Sequence, residues 1–346
     1  MDNLIKKNEK IFVAGHRGMV GSSIVRVLLK NGYCLKNEKG KLLTVNRNRL
    51  NLCKYNDVMD WFEFNKPSVV VMAAAKVGGI YANYTKPFDF ISENLKIQQN
   101  LIEASWKNNV KRLLFLGSSC IYPKASKLPI QEDSLLTSSL EITNQAYAIA
   151  KISGLKLCEA LREQYDFDAI TLMPTNLYGS GDNYHSKESH VMASLIKKFI
   201  LAKEKKINKI ICWGSGNPLR EFLHVDDLAM ACLNVLENWD PSLPDSPKNN
   251  EGNNLYYLNV GSEEEISIQN LALKIANLTD YKGEIYWDKS KPDGTYSKKL
   301  DISRIKSLGW KPTISLDNGI RKVIDEVSKK IKNKSGKEVL PKNFMV

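Results

Sequence analysis

A chain of 346 residues, 43% hydrophobic and 25% charged, has the balance of a soluble globular protein and is long enough for one large domain with a smaller one attached. No apolar run approaches the ~20 residues that cross a bilayer, and the lysine-rich start from Met1 to Lys10 lacks the apolar stretch of a secretion signal, so no membrane partner and a cytoplasmic location are expected. The net charge of +12 sits largely in scattered segments (Lys36–Lys41, Lys203–Lys209, Lys329–Lys342) that read as solvated faces, so no nucleic acid is expected either.

In chain order, the apolar run Ile11–Ala14 predicts a short strand. It leads at once into Gly15-His16-Arg17-Gly18-Met19-Val20-Gly21 and an amphipathic helix to about Lys30. A buried strand, a glycine turn and a helix start open a dinucleotide-binding unit. The glycines let the backbone approach a pyrophosphate, which the helix N-terminus attracts. The GxxGxxG spacing departs from the GxGxxG of many dehydrogenases.

Further strands are expected at Leu42–Val45, Val69–Met72, Arg112–Leu116 and Ala169–Met173, with helices around Tyr55–Phe64, Phe90–Asn108 and Ala146–Tyr165. This alternation predicts an α/β fold, a Rossmann-type doubly wound parallel sheet. Continuous apolar runs such as Val69–Met72 suit strands buried on both faces. After Pro174 the pattern changes. A helix (Val191–Lys203), a strand (Ile210–Trp213), the turn Gly214–Pro218 and a helix beginning across Phe222–Asp227 are expected, then a strand at Leu255–Val260. From Ile266 a mixed cap follows, ending in lysine-rich disorder. The expected division is residues 1–179 with about 221–261 as the dinucleotide-binding domain. About 180–220 with 262–329 make a smaller mixed α/β substrate domain, and 330–346 a tail.

The strand that would mark an NAD enzyme with a carboxylate instead runs into Thr44-Val45-Asn46-Arg47-Asn48-Arg49. Arg47, joined by Arg17 in the glycine loop, suits a 2′-phosphate, which predicts NADP(H). Six cysteines (Cys34, Cys53, Cys120, Cys158, Cys212, Cys232) form no CxxC pair and no metal-like spacing with the four histidines. Reduced thiols and no metal are expected.

Tyr147 and Lys151 stand at i and i+4 on one helix face. A carbonyl reduced by hydride becomes an oxyanion that needs a proton. Tyr147 can supply it once a nearby ammonium lowers a phenol pKa that is ~10 in isolation. Ser118, at the end of the strand before it, can hydrogen-bond the same oxygen as charge develops. Cys120, two residues on, hints at a further step.

The order of GxxGxxG, strand-end serine and YxxxK resembles the extended short-chain dehydrogenase/reductases that act on nucleotide sugars. Within that family, the blocks Ala14–Gly21, Ala73–Gly79, Leu116–Pro123, Tyr147–Lys151, Met173–Gly179, Trp213–Gly216, Arg220–Asp227 and Lys291–Thr295 are similar to those of the GDP-L-fucose synthases, from about residue 10 to 325. The resemblance implies an NADPH-dependent enzyme that epimerises C3 and C5 of a GDP-4-keto sugar, GDP-4-keto-6-deoxymannose, and reduces C4. It implies Ser118, Tyr147 and Lys151 for the reduction, with Cys120 as base and His190 as acid for epimerisation. Reference pKa values of ~8.5 and ~6.5 suit that pair. On the residues alone, Cys120 reads as a buried small side chain and His190 as a helix-start histidine.

The resemblance further implies cofactor contacts from Gly15, His16, Arg17, Gly18, Met19, Val20, Gly21, Arg47, Asn51, Leu52, Ala74, Lys151, Pro174, Asn176, Leu177 and His190. Substrate contacts fall to Lys198, Trp213, Arg220, Asp293 and Lys298. The imidazoles of His16 and His224 read as structural. Lys198 and Arg220 suit a diphosphate, although Lys198 stands where the family uses an arginine and lacks its bidentate fork. The alternative is a C4 reductase of a related GDP-4-keto sugar, such as a heptose, without useful epimerisation. Arg17 and Arg47 argue against an NAD-holding 4-epimerase, and Tyr147 with Lys151 against a redox-sensing binding module. The resemblance also implies a homodimer through the helices flanking the YxxxK segment.

Overall fold

The computed structural model describes residues 3–35, 40–184, 189–290, 293 and 295–334. Parts of three expectations lie outside the described residues: the tail from 335 on, residues 36–39 of the segment after the first helix, and Lys291, Pro292 and Gly294 of the Lys291–Thr295 block.

Strand β1 (Lys10–Ala14) is buried at all but its first residue, and a glycine turn carries it into α1 (Met19–Lys30). There follow β2 (Lys41–Leu43), α2 (Tyr55–Asn65), β3 (Val69–Met72), α3 (Ile80–Thr85), α4 (Pro87–Lys107), β4 (Arg112–Leu116), α5 (Gln145–Tyr165) and β5 (Ala169–Pro174). The remainder runs β6 (Asn176–Tyr178), α6 (Val191–Glu204), β7 (Lys209–Trp213), β8 (Leu219–His224), α7 (Val225–Asn238), β9 (Tyr257–Val260), β10 (Glu265–Ser267), α8 (Ile268–Thr279), β11 (Glu284–Asp288), α9 (Ser303–Ser307) and α10 (Leu316–Lys334).

Six strands form one sheet in the order β2-β1-β3-β4-β5-β9, every pair parallel. Val69–Met72 and Arg112–Leu116 are buried along their whole length, because helices cover both faces of a parallel sheet. The helices fall into two sets, α1 with α7 and α2, α4 with α5, the two layers a doubly wound sheet needs. The chain leaves β1 for β2 on one side and returns to β3 on the other. Strand order therefore reverses between β1 and β3, where open sheets of this kind bind ligands beyond their carboxyl ends.

Beyond the sheet, β8 pairs with β6 and β10, and β7 pairs with β11. The apolar interior has two parts. The larger gathers the sheet and its helices, together with Leu300, Ile302, Ile305 and Trp310. The smaller is built from Ile196 and Phe199 of α6, Leu271 and Ile275 of α8, and Ile320 and Val323 of α10. Each such side chain, fully buried, contributes about 1.5–3 kcal/mol. Residues 300–310, expected on the substrate side, thus pack into the core of the sheet.

Three local expectations are corrected. Phe222–His224 is strand rather than helix, because its backbone pairs with β6 and β10. Helix α7 begins one residue later, and the His224 ring caps it by accepting from the Asp226 amide at 3.2 Å. The second strand ends at Leu43 instead of Val45. The lysine-rich ending is helical through Lys334, since Ile320, Val323, Ile324 and Val327 bury one face of it. No disulfide joins the six cysteines. Among the described residues, no helix is long and apolar enough to cross a membrane.

Candidate active site

The first glycine turn presses on the end of β3. Gly15 has φ +84°, in the left-handed region, and a Cβ there would lie 2.7 Å from the Ala74 nitrogen. A Cβ on Gly21 would lie 2.2 Å from the Gly15 carbonyl oxygen, so α1 starts tight against the loop. Gly18 occupies the N-cap position of α1 and offers no side chain to cap it. The first amides of the helix therefore face a site suited to an anion.

Beside this turn lies a cavity of about 590 Å³ whose walls include Gly15, His16, Arg17, Gly18, Arg47, Asn51, Leu52 and Ala74. Met19, Val20 and Gly21 belong to the helix start behind it. Pro174 closes β5, while Asn176 and Leu177 lie in β6, where the Asn176 amide donates to the Glu221 carbonyl at 2.9 Å. The Arg47 side chain is 80% exposed, and its Nη2 meets the Glu93 carboxylate at 2.9 Å. Lys76 grips the other oxygen of Glu93 at 2.9 Å, and its own backbone is held on both sides by Asn94. Two cations thus share one carboxylate at the cavity wall.

Helix α5 brings Tyr147 and Lys151 to the end of β4. Lys151 is buried, and its Nζ donates to the Leu116 carbonyl at 2.7 Å. The same ammonium lies 5.8 Å from the centroid of the Tyr147 ring. Burial pushes the Lys151 ammonium down to about 8, and the Cys120 thiol opposes that fall. Burial, then Cys120, raise the Tyr147 phenol. The Tyr147 ring meets Phe90 edge to face at 6.3 Å, and Phe90 lines the cavity, so this face of α5 adjoins it. Ser118 caps the short turn Ser119–Ile121, its Oγ accepting from the Cys120 amide at 3.4 Å. The Cys120 thiol is buried, which raises it, while Ser118 and the positive charges of Lys298 and Lys151 pull it back. Ser118, Cys120, Tyr147 and Lys151 are thus brought together, with Lys298 added to them.

His190 is the N-cap of α6 and makes no capping bond through its side chain; its residue surface as a whole is open, while burial of the ring lowers the imidazole. Among the described residues, no hydrogen bond or ion pair joins it to Cys120, Tyr147 or Lys151. Lys198, half-buried in the same helix, donates to the Ile211 carbonyl at 2.8 Å, and burial lowers its ammonium. Trp213 ends β7 with 47% of its surface exposed, which sets it apart from a core tryptophan. Arg220 Nη1 donates to the carbonyls of Leu219 and Thr295, each at 2.6 Å. Asp293 accepts from the Ser215 amide at 2.9 Å and hydroxyl at 2.7 Å. Lys298 is lowered by burial; Cys120 and Glu141 pull it up, while Arg220 and Lys124 push it down.

Several polar residues escaped the sequence reading. Glu221 accepts from the amides of Ser262 at 2.7 Å, Glu263 at 2.8 Å and Leu300 at 3.1 Å, and it is wholly buried. Its signal was a carboxylate inside the otherwise apolar Phe222–Leu223 neighbourhood of Arg220. Lys76 lay in a block already singled out. Glu93 and Glu141, on a helix and in a polar loop, carried no such signal.

The profile of the NAD dependent epimerase/dehydratase family matches residues 11–246. The chain is 48% identical over 317 residues to the putative GDP-L-fucose synthase 2 of Arabidopsis thaliana, covering 92% of this chain and 91% of that protein. It is 46% identical over 320 residues to the GDP-L-fucose synthase of Escherichia coli (strain K12), covering 90% and 94%. Among solved structures, a GDP-6-OMe-4-keto-L-xylo-heptose reductase from C. jejuni aligns with a TM-score of 0.86 at 33% identity, covering 94% of this chain and 99% of that one. With that profile spanning residues 11–246 and relatives 46–48% identical over 90–92% of the chain, the chain belongs to the NAD dependent epimerase/dehydratase family.

Proposed function

We propose that this chain is an NADP(H)-dependent enzyme that converts GDP-4-keto-6-deoxymannose into GDP-L-fucose by epimerisation at C3 and C5 and reduction at C4. The observation that carries the reading is the meeting of a reductase set, Ser118, Tyr147 and Lys151, with a buried thiol, Cys120, at one point. The likeness to GDP-L-fucose synthases supports the choice of sugar.

The residues present fit the cofactor. A β-carbon at Gly15 would fill the space against Ala74, and the start of α1 has no side-chain cap; together they suit the pyrophosphate. Arg47, Arg17 and Lys76 line the same cavity and suit a 2′-phosphate. When bound, the nicotinamide supplies the hydride.

The chain's own groups do the rest. Tyr147 gives its proton to the C4 oxygen, and the Lys151 ammonium beside the ring favours the phenolate left behind. Ser118 holds the same oxygen as charge builds. The C4 ketone acidifies the hydrogens on C3 and C5, so Cys120 removes one as thiolate, favoured by the charges of Lys298 and Lys151. His190 returns a proton from the other face. Arg220 and Lys198 take the diphosphate, and Trp213 gives the nucleotide a flat apolar wall.

The second reading is reduction at C4 alone, on a related GDP-4-keto sugar such as a heptose. It draws on His190, which stands at the head of α6 and, among the described residues, makes no hydrogen bond or ion pair to Cys120, Tyr147 or Lys151. Incubation with GDP-4-keto-6-deoxymannose and NADPH in heavy water, read by NMR, separates the two. Deuterium at C3 and C5 with a reduced C4 supports the first; NADPH oxidation without deuterium there refutes it in favour of the second.

A homodimer goes with this reading. Tyr81, Tyr84 and Phe88 on α3 and α4, with Ile142 in the turn before α5 and Ile149 in its first turns, are apolar and exposed, as a shared helical interface requires. So does a cytoplasmic location, because a charged sugar nucleotide and a soluble cofactor do not cross a bilayer.

A further inference from the structure

Glu141 lies six residues before Tyr147, outside every motif, yet three parts of the active site meet on its carboxylate. Its Oε1 accepts from the amide and hydroxyl of Thr143, both at 3.4 Å, and so caps the short turn Ile142–Asn144 that runs straight into α5. Its Oε2 lies 3.4 Å from the Lys124 ammonium, four residues beyond Cys120. The same Oε2 accepts from the Thr295 hydroxyl at 2.9 Å. Thr295 sits between Asp293 and Lys298, and its carbonyl takes the bond from Arg220 at 2.6 Å. One threonine therefore links Arg220 through its backbone to Glu141 through its side chain.

Only 13% of the Glu141 side chain is exposed. Burial pushes its carboxyl up, and the bonds from Thr295 and Thr143 with the charge of Lys124 more than offset this, holding it below its usual range. An exposed Lys–Glu pair alone would count for little. A carboxylate whose two oxygens serve three chain segments is instead a fixed node.

We propose that Glu141 is a positioning residue: its carboxylate docks Thr295 against the start of the Tyr147 helix and so sets Arg220 and Lys298 at the right separation from the C4 proton donor. The inference rests on the function proposed above. It separates two jobs that share the cleft. Among the described residues, Glu141 is not one of those that line the cofactor cradle built from β1, α1 and the end of β3. Loss of the clasp therefore misplaces the sugar nucleotide while NADPH binding stands. A purely structural carboxylate would lower both together.

The test is a double-mutant cycle with Glu141→Gln, Thr295→Val and the pair, plus Thr295→Ser. Steady-state kinetics are read for GDP-4-keto-6-deoxymannose, and NADPH affinity by fluorescence. Each single change should lower kcat/KM for the sugar about tenfold, the worth of one hydrogen bond to a charged group, with NADPH affinity within twofold of the parent. The double variant should stay near about tenfold, because both changes break one link. Thr295→Ser keeps the hydroxyl and should restore the parent value. Unchanged sugar kinetics in both singles, a parallel loss of NADPH affinity, or a double variant multiplying to about a hundredfold would each overturn the proposal. If the parent enzyme does not turn over this sugar, the functional reading fails instead. The same cycle is then read on GDP binding by calorimetry, where coupled weakening supports the clasp and unchanged affinity overturns it.

Discussion

Replacing Arg47 by serine tests the cofactor assignment at the atom that would distinguish NADPH from NADH. A hydrogen bond from guanidinium to phosphate is worth about 1.5–3 kcal/mol. Arg47 does not wait idle, since its Nη2 already pairs with Glu93 at 2.9 Å on a side chain that is 80% exposed. Giving up an exposed pair costs about 0–1 kcal/mol, so the net contribution to NADPH binding lies within about 0.5–3 kcal/mol, with about 1–2 kcal/mol as the middle of that range. That corresponds to a factor of about 5 to 30. Lys76, clasped to the same Glu93, remains in the Arg47→Ser variant and limits the loss. The assay is initial-rate kcat/KM for NADPH and for NADH in parent and variant. NADPH should fall by about that factor and NADH should stay within twofold, because NADH carries no 2′-phosphate. An equal fall for both cofactors, or an unmoved ratio, would refute the assignment of Arg47 to the phosphate.

Three further outcomes are expected. Tyr147→Phe should cut kcat by about a hundredfold or more with NADPH affinity kept, and retained turnover would remove Tyr147 as proton donor. Cys120→Ser should stop deuterium entering C3 and C5 while a sugar already epimerised is still reduced; normal exchange in that variant would acquit the thiol. Lys151 is held down to about 8, so its ammonium is present below that pH and lost as pH rises through it. The kcat/KM of reduction should therefore fall above about pH 8. Lys151→Arg, which keeps its charge, should move that limb upward, and a limb that stays would belong to another group.

Much of the cofactor half was legible from local pattern. Val69–Met72 and Arg112–Leu116 are continuous apolar runs, and they form the strands expected to the residue. The glycine turn between Ala14 and Met19 could be placed because its steric demand acts over neighbours in sequence. The strands beyond the main sheet were harder for the opposite reason. Strands β6 and β10, three residues each, exist only because β8 pairs with both. Leu219–His224 carries mixed polarity that a helix start imitates, down to the aspartates that follow it. Of the candidate site residues, Ser118, Cys120, Tyr147 and Lys151 were readable from spacing and resemblance. Glu141 and Glu93 were not, since the partner that ties each to the site lies more than forty residues away, Thr295 and Arg47 respectively.

The main sheet and the smaller strands beyond it also differ in how their shape is secured. The parallel sheet repeats one kind of bond along five strand pairs, so each contact has neighbours that do the same work. Beyond the six-stranded sheet, the Glu221 carboxylate alone gathers the amides of Ser262, Glu263 and Leu300. Such a build is brittle under substitution at one position but tolerant at the rim around it. A lineage of such enzymes can therefore exchange rim side chains and take a differently shaped sugar, while the node and the cofactor half stay as they are.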